Sequence, residues 1–179
     1  MVDLRERVTE DRGLLKKLEL AIPGFRGYRK REDLRIADSL LRKQLANNLG
    51  DIREKIELCR QDLANKMEME LLNNMGALMN HITSTENRVR HAEHGYSGIS
   101  ADYNIRENEL NRMYEWDLNL LSDIDKISDS VGLLQTTITS GNTTEIGQKI
   151  KEVEEDIKEF NSLFDMRIET IANLGVGGK

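Results

Sequence analysis

The sequence has little of what membrane-spanning, disulfide-linked or irregularly folded proteins require. No window approaches 18 consecutive apolar residues, so no segment is expected to span a membrane. The single cysteine, Cys59, cannot form an internal disulfide, which is typical of a reducing compartment. Proline occurs once, at Pro23, and aromatic residues make up only 4% of the chain. The N-terminal segment is charged throughout and lacks the apolar core of a signal peptide, which favours a cytoplasmic location.

Charged residues are abundant instead. Of 179 residues, 32% are charged and 38% are hydrophobic, a composition that suits long helices with one face in water. Residues 1–66 hold 16 Lys and Arg against 12 Asp and Glu, a net charge of +4, whereas residues 67–179 hold 10 against 20, a net charge of −10. An acidic protein with one basic region is a poor general binder of nucleic acid. The basic region suits an acidic protein partner or an anionic membrane surface, unless it only balances the acidic half of the chain.

Apolar residues recur every three or four positions along most of the chain, which is the period of a helix. We therefore predict an all-α fold, either an antiparallel helical bundle or an extended helical hairpin with coiled-coil-like pairing. The pattern predicts a single helical domain over residues 1–174, with a flexible tail at 175–179. The predicted helices cover about residues 2–20, 30–94, 103–134 and 143–174.

The second predicted helix is too long for a compact domain of this size. A helix over residues 30–94 would measure about 95 Å at 1.5 Å per residue. We expect it to kink near Gly50 or Gly76, since glycine weakens a helix interior, or to project and pair with a partner chain. The segment around Ile138 is expected to be a loop with a little extended structure. Asn142 and Glu145 then resemble a capping arrangement at the start of the last helix.

The sequence shows no constellation of residues that predicts catalysis. It contains no phosphate-binding Walker A motif, no dinucleotide-binding glycine pattern and no nucleophile elbow, so we expect a non-enzymatic protein without a cofactor. Cys59 falls within an apolar stripe and is interpreted as a core residue. The alternative function is a metal- or ligand-binding helical bundle that uses His81, His91 and His94. For His91 and His94 we favour the interpretation that they lie at the polar end of a helix.

Two short stretches hold six of the eight aromatic residues. One is the connector around Pro23, which also carries a run of bases, and the other leads into the third predicted helix. Aromatic and arginine side chains are frequent at the centres of protein interfaces, but they also plug the ends of helical bundles. We keep both interpretations open. The candidate partner-binding residues are Phe25, Arg26, Tyr28, Arg29, Lys30, Arg31, Tyr96, Tyr103, Tyr114 and Trp116.

These two stretches carry a family resemblance. Pro23–Tyr28 fits a PG[FY]xGY connector before a charged helix, and Gly95–Gly98 with Met113–Leu118 fits a GYxG break before a helix with an [LM]YE[FW]DL core. The pattern resembles a family of small helical prokaryotic proteins whose members are encoded near SPFH/band-7 membrane-associated scaffold proteins. The resemblance covers about residues 20–45 and 88–125. It implies no catalytic residues and favours a scaffold or adaptor role beside a membrane complex.

From these observations we expect a helical scaffold or adaptor that acts through protein–protein contacts. Its partner is a second copy of the chain or another protein, with an anionic membrane surface as a further possibility and nucleic acid disfavoured. We expect a cytoplasmic protein, with peripheral attachment to the membrane as the alternative.

Overall fold

The computed structural model describes residues 4–27, 31–92 and 106–173, with side chains from Gly13 onward except those of Arg31, Glu32 and Glu107. It contains α1 (Leu4–Ala21), α2 (Arg31–Asn65), α3 (Met69–His91), α4 (Glu107–Ser140) and α5 (Thr143–Ala172). Those ranges contain no β-strand. The prediction of an all-α helical bundle is therefore confirmed. The predicted tail at 175–179 lies outside the described residues.

The long second helix is divided at a position that the sequence pattern did not indicate. Gly50 and Gly76, where we expected a kink, both lie inside helices, and the break occurs between α2 and α3. There Met67 adopts a φ of 60°, a left-handed conformation. Its N–H donates to the carbonyl of Ala64 at 3.1 Å, and the N–H of Glu68 donates to that of Leu63 at 3.2 Å. These two bonds form a Schellman motif, which ends α2.

The prediction for the end of α4 was also wrong. α4 continues to Ser140, so Ile138 is helical and buried rather than part of an extended loop. The turn is made by Gly141, with a φ of 81°, and by Asn142. The expected cap is present, because the N–H of Glu145 donates to Asn142 Oδ1 at 3.3 Å and Asn142 Nδ2 donates to Glu145 Oε2 at 3.3 Å. The Asn142 side chain thus satisfies one backbone N–H that the first turn of α5 leaves free, and the second bond joins the two side chains.

The chain forms two compact units. Unit 1 comprises Met1–Gln44, Ala92–Leu121 and Leu163–Lys179, and unit 2 comprises Leu45–His91 and Ser122–Ser162. The sequence carries no signal for this division, because the boundaries near residues 44, 121 and 162 fall inside α2, α4 and α5.

Unit 2 is built from four helical segments around an aliphatic core. Consecutive helices run antiparallel, whereas α2 and α4 are parallel neighbours, as the bonds from Lys55 to Ser128 and from Lys66 to the Ile138 carbonyl show. Cys59 is fully buried, as predicted. The fully buried aliphatic residues of this core include Leu45, Leu49, Ile56, Leu63, Met75, Leu78, Ile82, Val89, Ile127, Val131, Leu134 and Val153.

Unit 1 collects α1, the connector at 22–27, the first part of α2, the first part of α4 and the end of α5. Its core contains Leu18, Ile22, Phe25, Leu34, Leu41, Met113, Tyr114, Leu120 and Phe164. The apolar spacing of the sequence predicts that Leu118 and Leu121 of α4 face inward. Both are half-buried instead, and the buried positions are Tyr114, Asp117 and Leu120.

No helix among the described residues is both long enough and apolar enough to cross a membrane.

Candidate functional site

The connector between α1 and α2 is a compact turn closed by two glycines. The N–H of Phe25 donates to the carbonyl of Ile22 at 3.1 Å, which reverses the chain directly after α1. Gly24 and Gly27 adopt φ values of 84° and 85°, a region that residues with a Cβ enter only at a cost. Phe25, between them, turns inward and is 3% exposed. The two glycines of the sequence Pro-Gly-Phe-Arg-Gly thus supply the left-handed backbone that this turn requires.

The two aromatic stretches meet at one side-chain pair. The rings of Phe25 and Tyr114 pack edge to face, with centroids 6.4 Å apart and planes at 67°. Gly27 lies against the same tyrosine, since a Cβ at this position would come within 2.7 Å of Tyr114 Oη. The connector is therefore fastened to α4 by a buried aromatic contact.

Burial divides the residues that the sequence suggested for partner binding. Phe25 and Tyr114 are nearly inaccessible, which favours the interpretation that they plug the bundle beneath the connector, and their assignment as partner contacts stays a prediction. Trp116 is half-buried, and Arg26 is exposed. The side chain of Arg31 lies outside the described residues. The same holds for five other candidates, which are Tyr28, Arg29, Lys30, Tyr96 and Tyr103, and for His94, the alternative metal ligand.

A groove runs along the exposed side of α2 next to the connector. Its part beneath the connector has a volume of about 280 Å³. Ile36, at 57% exposure, and the half-buried Leu40 form its apolar floor. Arg26 and Arg35 are exposed along its edges. The groove continues along α2 to Ser39, and its lining combines an accessible apolar strip with Arg26, Arg35 and one acidic residue, the half-buried Asp33.

A buried ionic network lies in the same unit, and sequence reasoning missed it. Arg167 of α5 donates from Nε to Asp117 Oδ1 and from Nη1 to Asp38 Oδ1, each at 2.6 Å. Arg42 donates from Nε to Asp38 Oδ2 at 2.8 Å and from Nη1 to the carbonyl of Ala92. The four charged side chains are at most 9% exposed. Two carboxylates and two guanidinium groups balance each other, which is how buried charges are tolerated.

The network joins three helices of unit 1, α2, α4 and α5. Its position at the centre of the unit indicates a role in fixing the register of those helices rather than in chemistry, because opposite charges at hydrogen-bond distance tolerate little sliding.

The histidines and the cysteine do not form a reactive site in the described residues. His81 and His91 are both exposed and lie ten residues apart on α3, which is about 15 Å along the helix axis, too far to bind one ion. Among the described residues no three histidine, cysteine or acidic side chains are placed to hold a metal. Burial raises the pKa of the Cys59 thiol to about 11, so the reactive thiolate is scarce at neutral pH.

Comparisons of the chain with protein-family models, with curated proteins and with solved structures give no match. The family resemblance of the two motifs therefore stays a prediction.

Proposed function

We propose that this chain is a non-enzymatic helical adaptor that binds a partner protein through the groove of unit 1. The observation that carries the proposal is the exposure of Ile36. Its neighbours Leu34, Ala37 and Leu41 on α2 are at most 2% exposed, whereas Ile36 is 57% exposed on the floor of a groove. Accessible apolar side chains in a concave surface with a polar rim are typical of binding sites.

The chemistry of the groove favours an acidic amphipathic helix as the partner. Such a helix places apolar side chains every three or four residues, which suits the strip formed by Ile36 and Leu40. Its acidic side chains would meet Arg26 and Arg35 at the edges of the groove. The sequence adds Arg29 and Lys30 directly before α2, which raises the positive charge of this part of the chain. Complementary charge steers a partner and selects its orientation.

The anchoring of the connector supports the same proposal. Because Phe25 packs on Tyr114 and Gly27 lies against that tyrosine, the wall of the groove is held in place before a partner arrives. A surface that is already ordered loses less conformational entropy on binding. The buried aromatic pair thus supports binding indirectly, although neither ring is accessible to a partner.

The proposed adaptor belongs beside a membrane-associated complex if the motif resemblance holds. That location rests on the resemblance of residues 20–45 and 88–125 alone, and it does not require the chain to enter the membrane. A partner that belongs to a membrane-associated assembly and carries an acidic helix would agree with the motif resemblance and would complement the arginines of the groove.

Site-specific cross-linking in the source cell tests this function. A photo-reactive amino acid at Ser39, exposed in the groove, is expected to capture a defined protein that contains an acidic helix. The same amino acid at Thr139, which is exposed on α4 in unit 2, is the matched control. Equal capture from both positions would contradict the proposal. The alternative result is that the chain floats with anionic vesicles, loses this binding in high salt and gives no protein cross-link at Ser39. That result would show that the groove binds a membrane surface and not a partner protein.

A further inference from the structure

A second concave surface lies in unit 2, and the adaptor proposal does not use it. It is a cleft of about 300 Å³ between α3 and α5. The α3 residues recur at the three- and four-residue spacing that places side chains on one face of a helix. The polar residues that line the cleft are His81, Ser84, Thr85, Arg88, Lys158 and Asn161.

Thr85 presents a buried hydroxyl group to this cleft. It is 3% exposed, and its Oγ1 accepts a hydrogen bond from Asn161 Nδ2 at 2.8 Å. A threonine hydroxyl also has a proton to donate, and this proton has no acceptor among the described residues. An unsatisfied buried donor costs free energy, so an acceptor in the cleft would be favourable.

Asn161 holds these groups in position. Its Nδ2 also donates to the carbonyl of Ile157 at 3.0 Å, and its Oδ1 accepts from Arg88 Nη1 at 3.3 Å. Both ends of the amide are thus engaged, which defines its orientation and keeps the guanidinium group of Arg88 beside the cleft. Asn161 is a positioning residue, since its polar atoms are already committed to neighbours within the protein.

The charge of the cleft is positive in an acidic part of the chain. Residues 67–179 carry a net charge of −10, yet none of the residues that line the cleft is acidic. Lys158 is exposed and makes no ion pair with any described residue, although Glu154 precedes it by one helical turn. The donors and the positive charge converge on a space that is open to solvent, which is the chemistry of an anion site.

We infer that this cleft binds a phosphate group, either inorganic phosphate or the phosphate of a monoester. Three hydrogen-bond donors suit phosphate oxygens there: the hydroxyl groups of Ser84 and Thr85 and an imidazole N–H of His81. Lys158 and Arg88 supply positive charge at the rim. The inference is independent of the adaptor function, since no residue of the cleft belongs to unit 1.

Titration of the ¹⁵N-labelled chain with inorganic phosphate tests the site. We expect saturable shifts of the amide signals of residues 84–88 and 157–161, and no such shifts with sodium chloride at matched ionic strength. Lys158→Gln is expected to raise the dissociation constant by about threefold to fivefold, as the loss of one exposed charge does. Lys151→Gln, at an exposed lysine of α5 outside the cleft, is expected to leave it unchanged. Equal effects of the two substitutions would overturn the assignment.

The hydroxyl of Thr85 gives the more specific test. Thr85→Val keeps the shape of the side chain and is expected to weaken phosphate binding about tenfold, whereas Thr85→Ser restores it, because serine retains the donor. Thermal unfolding of each variant checks that unit 2 remains folded. If Thr85→Val binds phosphate like the unaltered chain, the inference is wrong.

Two sources of the phosphate group are separated by parallel measurements. Flotation with vesicles that contain phosphatidic acid tests a lipid headgroup, and the inorganic phosphate titration tests a free anion. Binding in either experiment that is weakened by Lys158→Gln supports the site. No binding in either experiment would overturn it.

Discussion

Asp38 accepts hydrogen bonds from two arginines, one on its own helix and one on α5. This arrangement stabilises unit 1 only while every member is present, because removal of one partner leaves a charge buried without its counterpart. Sequence reasoning about single residues did not find it, since charged residues were assigned to the solvent. A signal was nevertheless present. Arg167 continues the apolar repeat of α5 from Phe164, and Asp117 interrupts an apolar stripe of α4.

We predict that Arg167→Met lowers the free energy of unfolding by about 3–5 kcal/mol, since it leaves the buried carboxylate of Asp117 without its arginine. Urea denaturation followed by circular dichroism measures the change. The control is Arg53→Met, which removes a half-exposed arginine from its pair with Glu86 and should cost no more than about 1 kcal/mol. A loss for Arg167→Met as small as that of the control would show that the network contributes little.

Substitutions at the two glycines of the connector distinguish the cost of backbone strain from the cost of a steric clash. Both have a left-handed φ, but a Cβ at Gly24 would lie 3.7 Å from its nearest neighbour, Leu40, whereas one at Gly27 would lie 2.7 Å from Tyr114 Oη. Gly24→Ala should therefore cost about 1–2 kcal/mol from backbone strain alone. Gly27→Ala should cost about 1–3 kcal/mol more, because the tyrosine has to move. Chemical denaturation of both variants measures the difference, and equal losses would contradict the contact.

Helix positions were predictable because the apolar period continues through each element. The final helix shows this best. Its apolar residues recur alternately every four and three positions, which predicts one inward face, and all of them are buried: Ile146, Ile150, Val153, Ile157, Phe160 and Phe164. Helix ends were less predictable. α2 ends in a Schellman motif at Met67, where glycine is the usual residue, and the absence of glycine left no sequence signal. Conversely, Gly50 and Gly76 are accommodated within continuous helices.

Met67→Gly is predicted to raise the free energy of unfolding by about 0.5–1 kcal/mol. The side chain is 84% exposed, so little packing is lost, and glycine adopts the φ of 60° without strain. Met69→Gly is the control, since Met69 is also exposed but begins α3, where glycine is not required. Thermal and urea unfolding compare the two variants. Destabilisation by both substitutions would show that the turn does not depend on the left-handed residue.

At the scale of the whole molecule, the sequence predicted the fold class and the place of the basic region, and it did not predict the two units. The positive charge of residues 1–66 includes the connector and the edges of the groove in unit 1. The groove itself was not predictable, because it depends on how the connector folds against α2. Ile36 shows this well, because it lies off the apolar stripe of Leu34, Ala37 and Leu41, which indicates exposure but carries no sign that the side chain lines a groove.

The affinity of the purified chain for the partner captured at Ser39 is the most direct test of the adaptor function. Ile36→Ser is expected to weaken binding about tenfold, because the isoleucine becomes buried against the partner helix. Leu133→Ser removes an equally exposed apolar side chain, 56% against 57%, from α4 in unit 2, and it should leave the affinity unchanged. Isothermal titration calorimetry measures both variants. A tenfold loss confined to Ile36→Ser is the predicted result, and equal affinities for the two variants would contradict the proposal.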